Sequence, residues 1–170
     1  SITVANVNDP PSFTSGPVTQ AVQGASYSYA ITTGDPDAGD TQTITATVLP
    51  AWLTFTVTNN GTATLGGIPG NQHMGGHVVV LRVSDVAGAF ATQTFTITVV
   101  NANDPPSFTS SPIMQAVQDV QYSYVVAATD PDVGDTLVVS ATTLPAWLTF
   151  TANSNGAGTL AGMPGNQQVG

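Results

Sequence analysis

An internal repeat with a period of 95 residues limits the possible folds of this chain more than any other feature. Three motifs each occur twice at this spacing: NDPPSFTS (8–15 and 103–110), LPAWLTF (49–55 and 144–150) and PGNQ (69–72 and 164–167). The period is too long for the stacked units of a solenoid and suits a string of small domains, each with its own core. The sequence therefore predicts tandem domains.

The repeat register divides the chain into three parts. Residues 1–7 match the end of a repeat, so we expect them to be the last strand of a preceding one. Residues 8–104 hold a complete repeat. Residues 105–170 stop at the counterpart of Gly75, which predicts a partial repeat that lacks its last strands. Because unpaired strand edges recruit further strands, we expect neighbouring repeats or chains to complete it.

Short alternating segments predict the secondary structure of each repeat. Polar and apolar residues alternate in 26–32, 41–49, 77–85 and 91–100. An edge strand interrupted by Pro17 is expected at 13–22, with shorter strands at 52–58 and 62–70. About seven strands per repeat and no sustained helical period indicate an all-β fold of tandem antiparallel Greek-key β-sandwiches. Trp52 and Trp147 are expected to anchor the two cores.

Composition excludes several classes of function. The 170 residues carry one Lys or Arg, ten acidic residues and a net charge of −9, so phosphate neutralisation on a nucleic acid is not expected. There is no Cys for thiol chemistry or disulfides, and no apolar run reaches the roughly 18 residues of a membrane span. No set of nucleophile, base and acid is visible, so we expect no enzyme and no catalytic residue.

All ten acidic residues are aspartates, and most of them fall in the repeated segments GDPDAGD (34–40) and TDPDVGD (129–135) or at the repeat junctions. Close carboxylates repel one another unless a cation lies between them, and Arg82 is the sole Lys or Arg of the sequence. A ligand set made only of oxygens suits Ca²⁺. The predicted ligands are Asn8, Asp9, Asp35, Asp37, Asp40, Asp85, Asn101, Asn103, Asp104, Asp130, Asp132 and Asp135.

Taken together, NDPP at a junction, DPDxGD after a strand, LPAWLTF and SDVAGAFATQTFTITVVNAND resemble the cadherin-like tandem repeats of bacterial extracellular surface proteins. These include the dystroglycan-type cadherin-like and putative Ig-like variants. The resemblance implies calcium at the junctions between successive domains. It groups the downstream ligands as Asp85, Asn103, Asp104, Asp130 and Asp132. It groups the upstream ligands as Asn8, Asp9, Asp35 and Asp37.

The resemblance and the acidic clusters predict a calcium-stiffened structural repeat of an adhesin, a surface fibre or a biofilm matrix filament outside the cell. Its expected partners are neighbouring repeats or copies of the same protein, with surface or matrix glycans as further candidates. The alternative is a carbohydrate- or protein-binding module, for which the candidate residues are Tyr27, Tyr29, Tyr122 and Tyr124. Their alternation along one strand favours packing in the sheet instead. Asn60-Gly61-Thr62 also matches a glycosylation sequon, which its counterpart at 155–157 does not.

Overall fold

The computed structural model describes residues 1–169. They fall into two compact units, unit 1 at Ser1–Ala102 and unit 2 from Asn103 onward. Strands dominate both units, and the helical content of the described residues is two 3-10 turns of three residues each, Asn71–His73 and Asn166–Gln168. The all-β prediction is therefore confirmed.

Unit 1 is a sandwich of two four-stranded sheets with the orders β1-β3-β6-β5 and β2-β8-β7-β4. Its strands are β1 (Ser12–Phe13), β2 (Gln20–Val22), β3 (Tyr27–Gly34), β4 (Thr43–Val48), β5 (Leu53–Asn59), β6 (Thr62–Gly67), β7 (Gly75–Ser84) and β8 (Phe90–Val100). All strand pairs are antiparallel except β2 with β8, which is parallel. The expected edge strand at 13–22 is divided around Pro17, and its two halves lie at the edges of different sheets.

The core of unit 1 lies between these sheets and follows from the alternation in the sequence. Tyr27, Tyr29 and Ile31 face inward from β3, while the intervening residues are exposed. Trp52 is 8% exposed and meets the Tyr27 ring edge to face at 5.6 Å, so its predicted anchoring role is confirmed. Burial, with a smaller effect from Tyr29, raises the pKa of Tyr27 to about 12. The opposite sheet contributes Val79, Leu81, Val83, Phe95, Ile97 and Val99.

The segment that leads into unit 1 has no regular structure. Residues 1–11 contain no strand, and residues 1–10 are exposed. The assignment of residues 1–7 to a preceding repeat therefore stays a prediction.

Unit 2 reproduces one of the two sheets over its described residues. Its strands are β9 (Ser107–Phe108), β10 (Tyr122–Thr129), β11 (Leu148–Ala152) and β12 (Ala157–Gly162), in the order β11-β12-β10-β9. This order is the counterpart of β5-β6-β3-β1 in unit 1. Residues 115–117 and 138–143, the counterparts of β2 and β4, form no strand. In unit 1 these strands pair with β8 and β7, and the counterpart of β7 in the repeat register begins at position 170.

Over the described residues, the inner face of the unit 2 sheet is open. Trp147 keeps an edge-to-face contact with Tyr122 at 5.7 Å, but it is only half-buried, so its anchoring role is weaker than that of Trp52. A groove of about 830 Å³ lies on this face. Its lining includes Ile113, Met114, Val117, Tyr122, Trp147 and Val169.

Candidate metal centres

The acidic loop of unit 1 follows β3 directly. Gly34, the last residue of β3, pairs with Ser12 of β1, so the loop lies at the end of the sandwich where the chain enters unit 1. Asp35, Asp37 and Asp40 each offer a carboxylate oxygen, and these oxygens all lie within 4.8 Å of one another. Gly39 has a φ of 88°, a conformation that favours glycine and turns Asp40 back toward the other two aspartates.

The loop holds the entering chain through Asp37. The backbone N–H of Asp9 donates to Asp37 Oδ2 at 2.8 Å, and Asn6 Nδ2 donates to Asp37 Oδ1 at 2.7 Å. The Asn6 amide and, to a smaller extent, the backbone N–H of Asp9 lower the pKa of Asp37 below its usual range, because both donors favour the charged carboxylate. Asn6 was not among the predicted site residues, although it occupies the repeat-register position of Asn101, which was.

Asp85 lies in the turn between β7 and β8 and is 7% exposed. Its Oδ1 accepts the N–H groups of Gly88 and Ala89 at 2.6 and 2.8 Å, and its Oδ2 accepts Asn8 Nδ2 at 2.8 Å. β8 then runs from this turn to Val100 at the opposite end of the sandwich. The expectation that Asp85 serves the downstream junction was therefore wrong, because the hairpin returns it to the end where the chain enters unit 1.

Unit 2 repeats the acidic loop after β10. Carboxylate oxygens of Asp130, Asp132 and Asp135 lie within 4.8 Å of one another. Asp132 Oδ2 accepts the backbone N–H of Asp104 at 2.7 Å, as Asp37 does with Asp9 in unit 1. Asn103 Nδ2 donates to the backbone oxygen of Asp104 at 3.1 Å. The contact between the acidic loop and the backbone of the entering chain therefore forms in both units.

Two buried carboxylate oxygens distinguish these clusters from a solvated acidic edge. Asp35 Oδ2 in unit 1 and Asp132 Oδ1 in unit 2 are buried without a hydrogen-bond partner, and Asp132 as a whole is 6% exposed. A buried charged oxygen without a partner is costly, and neighbouring carboxylates add repulsion. A hard cation would relieve both costs, and the all-oxygen donor set fits Ca²⁺.

The structure brings most of the predicted ligands into two groups. Unit 1 gathers Asn8, Asp9, Asp35, Asp37, Asp40 and Asp85. Unit 2 gathers Asn103, Asp104, Asp130, Asp132 and Asp135. Asn101 follows Val100 and therefore lies at the opposite end of unit 1 from the acidic loop of that unit. The role of all these predicted residues as metal ligands stays a prediction.

Two asparagines outside the predicted set also reach the acidic loops. Asn60 donates from Nδ2 to the backbone oxygen of Asp40 at 3.2 Å, and Asn155 lines a cavity of about 230 Å³ with Asp130, Asp132 and Asp135. The sequence signal that could have identified them is the Asn-Gly pair, which recurs in the repeat register.

Comparison with known proteins gives a family and several structural neighbours. Residues 10–100 and 105–170 match the family described as Putative Ig domain. The protocadherin gamma B7 extracellular domains are 15% identical with a TM-score of 0.58, over 97% of this chain and 44% of theirs. The protocadherin gamma B4 extracellular domain is 17% identical with a TM-score of 0.54. That match covers 96% of this chain and 28% of the protocadherin chain. At these identities the likeness concerns the fold.

A third neighbour is the endo-fucoidan hydrolase MfFcnA4 from glycoside hydrolase family 107. It is 26% identical with a TM-score of 0.50, over 95% of this chain. The chain spans 25% of the length of that hydrolase. No curated protein matches the sequence. Within residues 1–169, no helix is long and apolar enough to cross a membrane.

Proposed function

The chain belongs to the Putative Ig domain family, and we propose that it is a calcium-stiffened structural repeat of an extracellular bacterial adhesin, surface fibre or matrix filament. The observation that carries the proposal is the pair of buried carboxylate oxygens without partners, Asp35 Oδ2 and Asp132 Oδ1, in equivalent acidic loops. Under this proposal the protein has no catalytic activity, and its function is mechanical.

The residues at each loop suggest how binding is coupled to stiffness. In unit 1 the carboxylates that would hold the ion also hold the entering chain, through Asp37 with Asp9 and through Asp85 with Asn8. In unit 2 Asp132 holds Asp104 in the same way. A bound cation supplies the positive charge that lets these carboxylates remain close together. An ion that binds the ordered segment alone stabilises it by mass action.

The extracellular location that we propose agrees with the calcium affinity that is typical of such modules. Extracellular calcium modules bind with dissociation constants of about 10⁻⁴ to 10⁻³ M, so they are loaded where calcium is abundant. The net charge of −9 adds self-repulsion that ions would reduce. Neighbouring repeats or copies of the protein are the partners that this role requires.

Strand complementation is a second proposal, supported by the open face of unit 2. Tyr122, Trp147 and Leu148 are half-buried there, whereas their counterparts Tyr27, Trp52 and Leu53 are buried beneath β7 and β8 in unit 1. Strands of the β7 and β8 type, from a neighbouring repeat or chain, would cover the groove.

A binding module remains the alternative, supported by the similarity to a protein described as an endo-fucoidan hydrolase. Tyr27 and Tyr29 are 4% and 3% exposed, so they cannot form a sugar-binding surface. Of the other two candidates, Tyr122 is half-buried in the groove of unit 2 beside Trp147. Tyr124 is also half-buried, and its hydroxyl shares a hydrogen bond with Ser110 Oγ at 2.7 Å. Glycan binding that persists in chelator would favour this alternative.

Calorimetric titration of the 170-residue chain with calcium tests the proposal. We expect binding in the range of about 10⁻⁴ to 10⁻³ M. Asp35→Asn and Asp130→Asn should each weaken the affected centre by about tenfold or more, since each removes a charge from a carboxylate cluster. Asp119→Asn is the matched control, because it makes the same change in charge outside both loops. Absence of binding, or an equal effect of the control, would contradict the proposal.

A further inference from the structure

The tip of one β-hairpin in each unit is docked against the acidic loop. In unit 1 this tip, between β5 and β6, contains Asn60 and Gly61. Asn60 Oδ1 accepts the backbone N–H of Gln42 at 2.5 Å, and Nδ2 donates to the backbone oxygen of Asp40 at 3.2 Å. The Gly61 oxygen accepts the backbone N–H of Thr33 at 2.9 Å. Thr33 precedes the acidic loop and Gln42 follows it, so one tip contacts both ends of the loop.

Unit 2 forms the same arrangement with different neighbours. Asn155 Oδ1 accepts the backbone N–H of Leu137 at 2.8 Å. The Gly156 oxygen accepts the N–H of Ala128 at 2.7 Å, and its N–H donates to the Leu137 oxygen at 3.1 Å. Gly156 has a φ of 73°, and a Cβ there would lie 2.7 Å from the Ala128 oxygen, so the tip requires glycine. Ala128 and Leu137 again precede and follow the acidic loop.

We infer that Asn60 and Asn155 are positioning residues of the two candidate metal centres, an inference that rests on the proposed calcium function. Each asparagine fixes the C-terminal end of its acidic loop, which carries Asp40 in unit 1 and Asp135 in unit 2. Gly39 and Gly134 lie just before that aspartate with φ values of 88° and 99°, which makes this part of the loop a natural hinge. Repulsion among three carboxylates would open the hinge, and the asparagine opposes that opening.

The chemistry of the amide explains why asparagine occupies this position. The oxygen accepts one N–H group, and in unit 1 the nitrogen donates to a loop carbonyl without adding charge. An aspartate would keep the acceptor, lose the donor and add a fourth negative charge beside the cluster. Asn155 also borders the cavity that contains Asp132, whose Oδ1 is buried without a partner.

The recurrence of the motif agrees with this role. Asn-Gly occurs at the same register position in both repeats, whereas Thr62, which completes the glycosylation sequon, is replaced by Ala157. The shared element is therefore the amide and the glycine of the docked turn. In unit 1 a glycan on Asn60 would occupy the nitrogen that donates to Asp40.

The test uses the 170-residue chain with Asn60→Ala or Asn155→Ala, and with Asn59→Ala as control. Asn59 is an exposed asparagine of the same hairpin. Amide hydrogen exchange in calcium-free buffer should accelerate about tenfold at Gln42 in Asn60→Ala and at Leu137 in Asn155→Ala. Asn60→Asp should keep Gln42 protected, because the carboxylate still accepts its N–H.

Calcium calorimetry on the same variants then separates positioning from simple structural support. We expect the affinity of the affected centre to fall about tenfold in each alanine variant and to stay unchanged in Asn59→Ala. Unchanged exchange, or faster exchange with unchanged affinity, overturns the inference while the calcium function stands. A parent chain that binds no calcium overturns the proposed function itself, and with it the positioning role.

Discussion

Units 1 and 2 contain nearly the same motifs but differ in how many of their residues are buried. Trp52 is 8% exposed and Ile44 is 2% exposed, whereas Trp147 and Val139 are only half-buried at the equivalent positions. The sheet that carries the acidic loop forms in both units, but the second sheet forms only where β7 and β8 are present. The acidic loop therefore depends on the first sheet, while core burial depends on the second.

The junction asparagines show one contribution of the second sheet to the acidic end of unit 1. In unit 1 Asn8 Nδ2 donates to Asp85 Oδ2 at 2.8 Å, and Asp85 is itself fixed by the β7–β8 turn. In unit 2, residues 103–169 include no counterpart of Asp85, and Asn103 Nδ2 donates to the backbone oxygen of Asp104 at 3.1 Å, a contact that Asn8 also makes with Asp9 at 3.4 Å. The acidic loop itself thus forms without the β7–β8 hairpin, but the hairpin adds Asp85 beside it in unit 1.

The largest expected effect comes from adding a copy of the β7–β8 hairpin to unit 2. Appending a copy of residues 76–100 after Gly170 should create strands at 115–117 and 138–143 and bury Trp147. The free energy of unfolding of unit 2 should rise by several kcal/mol, because apolar surface is removed from water. Denaturant unfolding, followed by Trp147 fluorescence in a Trp52→Phe background, measures this change.

An appended copy carrying Leu81→Asp and Ile97→Asp is the control for this experiment and should give little stabilisation. If residues 138–143 stay unprotected from hydrogen exchange with the unmodified copy, the dependence of the second sheet on β7 and β8 is contradicted.

A smaller effect is expected from truncating the two tryptophans. Trp52→Ala should lower the free energy of unfolding of unit 1 by about 3–5 kcal/mol, since it leaves a cavity in a closed core. Trp147→Ala should cost unit 2 less than about half as much, because water already reaches that side chain. Circular dichroism during urea unfolding of each variant gives both values, and equal losses would contradict the comparison.

The smallest effect concerns acid stability at the loop of unit 1. Asn6→Ala removes the stronger donor to Asp37 and should raise its lowered pKa toward the ordinary value. Because the folded pKa lies below the unfolded one, these hydrogen bonds stabilise unit 1 above the unfolded pKa of about 3.9. The stabilisation is lost as pH falls through the folded pKa. NMR titration of the Asp37 carboxyl group without calcium measures the shift, with Asn59→Ala as control. An unchanged midpoint in Asn6→Ala would contradict this account.

The sequence predicted what depends on local pattern and missed what depends on tertiary pairing. Alternation predicted β3, β4, β7 and β8 closely, because one face of each strand is buried. Pro17 signalled an interruption at 13–22 but could not indicate that β1 and β2 would join different sheets. The partner of each half is distant in the chain.

The candidate site shows the same limit. The DPDxGD motif identified the three aspartates of each loop, because they are close in sequence. Asp85 was placed at the wrong junction, since its position depends on the direction of the β7–β8 hairpin. Asn60 and Asn155 were missed because their contacts are made by a hairpin that is remote from the acidic loop in the sequence.

Small-angle X-ray scattering of the 170-residue chain, with calcium and after chelation, tests the central claim most directly. The account predicts a larger maximum dimension and less flexibility in calcium, and a return to a shorter, more flexible particle when the ion is removed. Asp35→Asn combined with Asp130→Asn should abolish the response. Identical scattering profiles under both conditions, with calcium shown by calorimetry to be bound, would contradict the claim that the ions stiffen the chain.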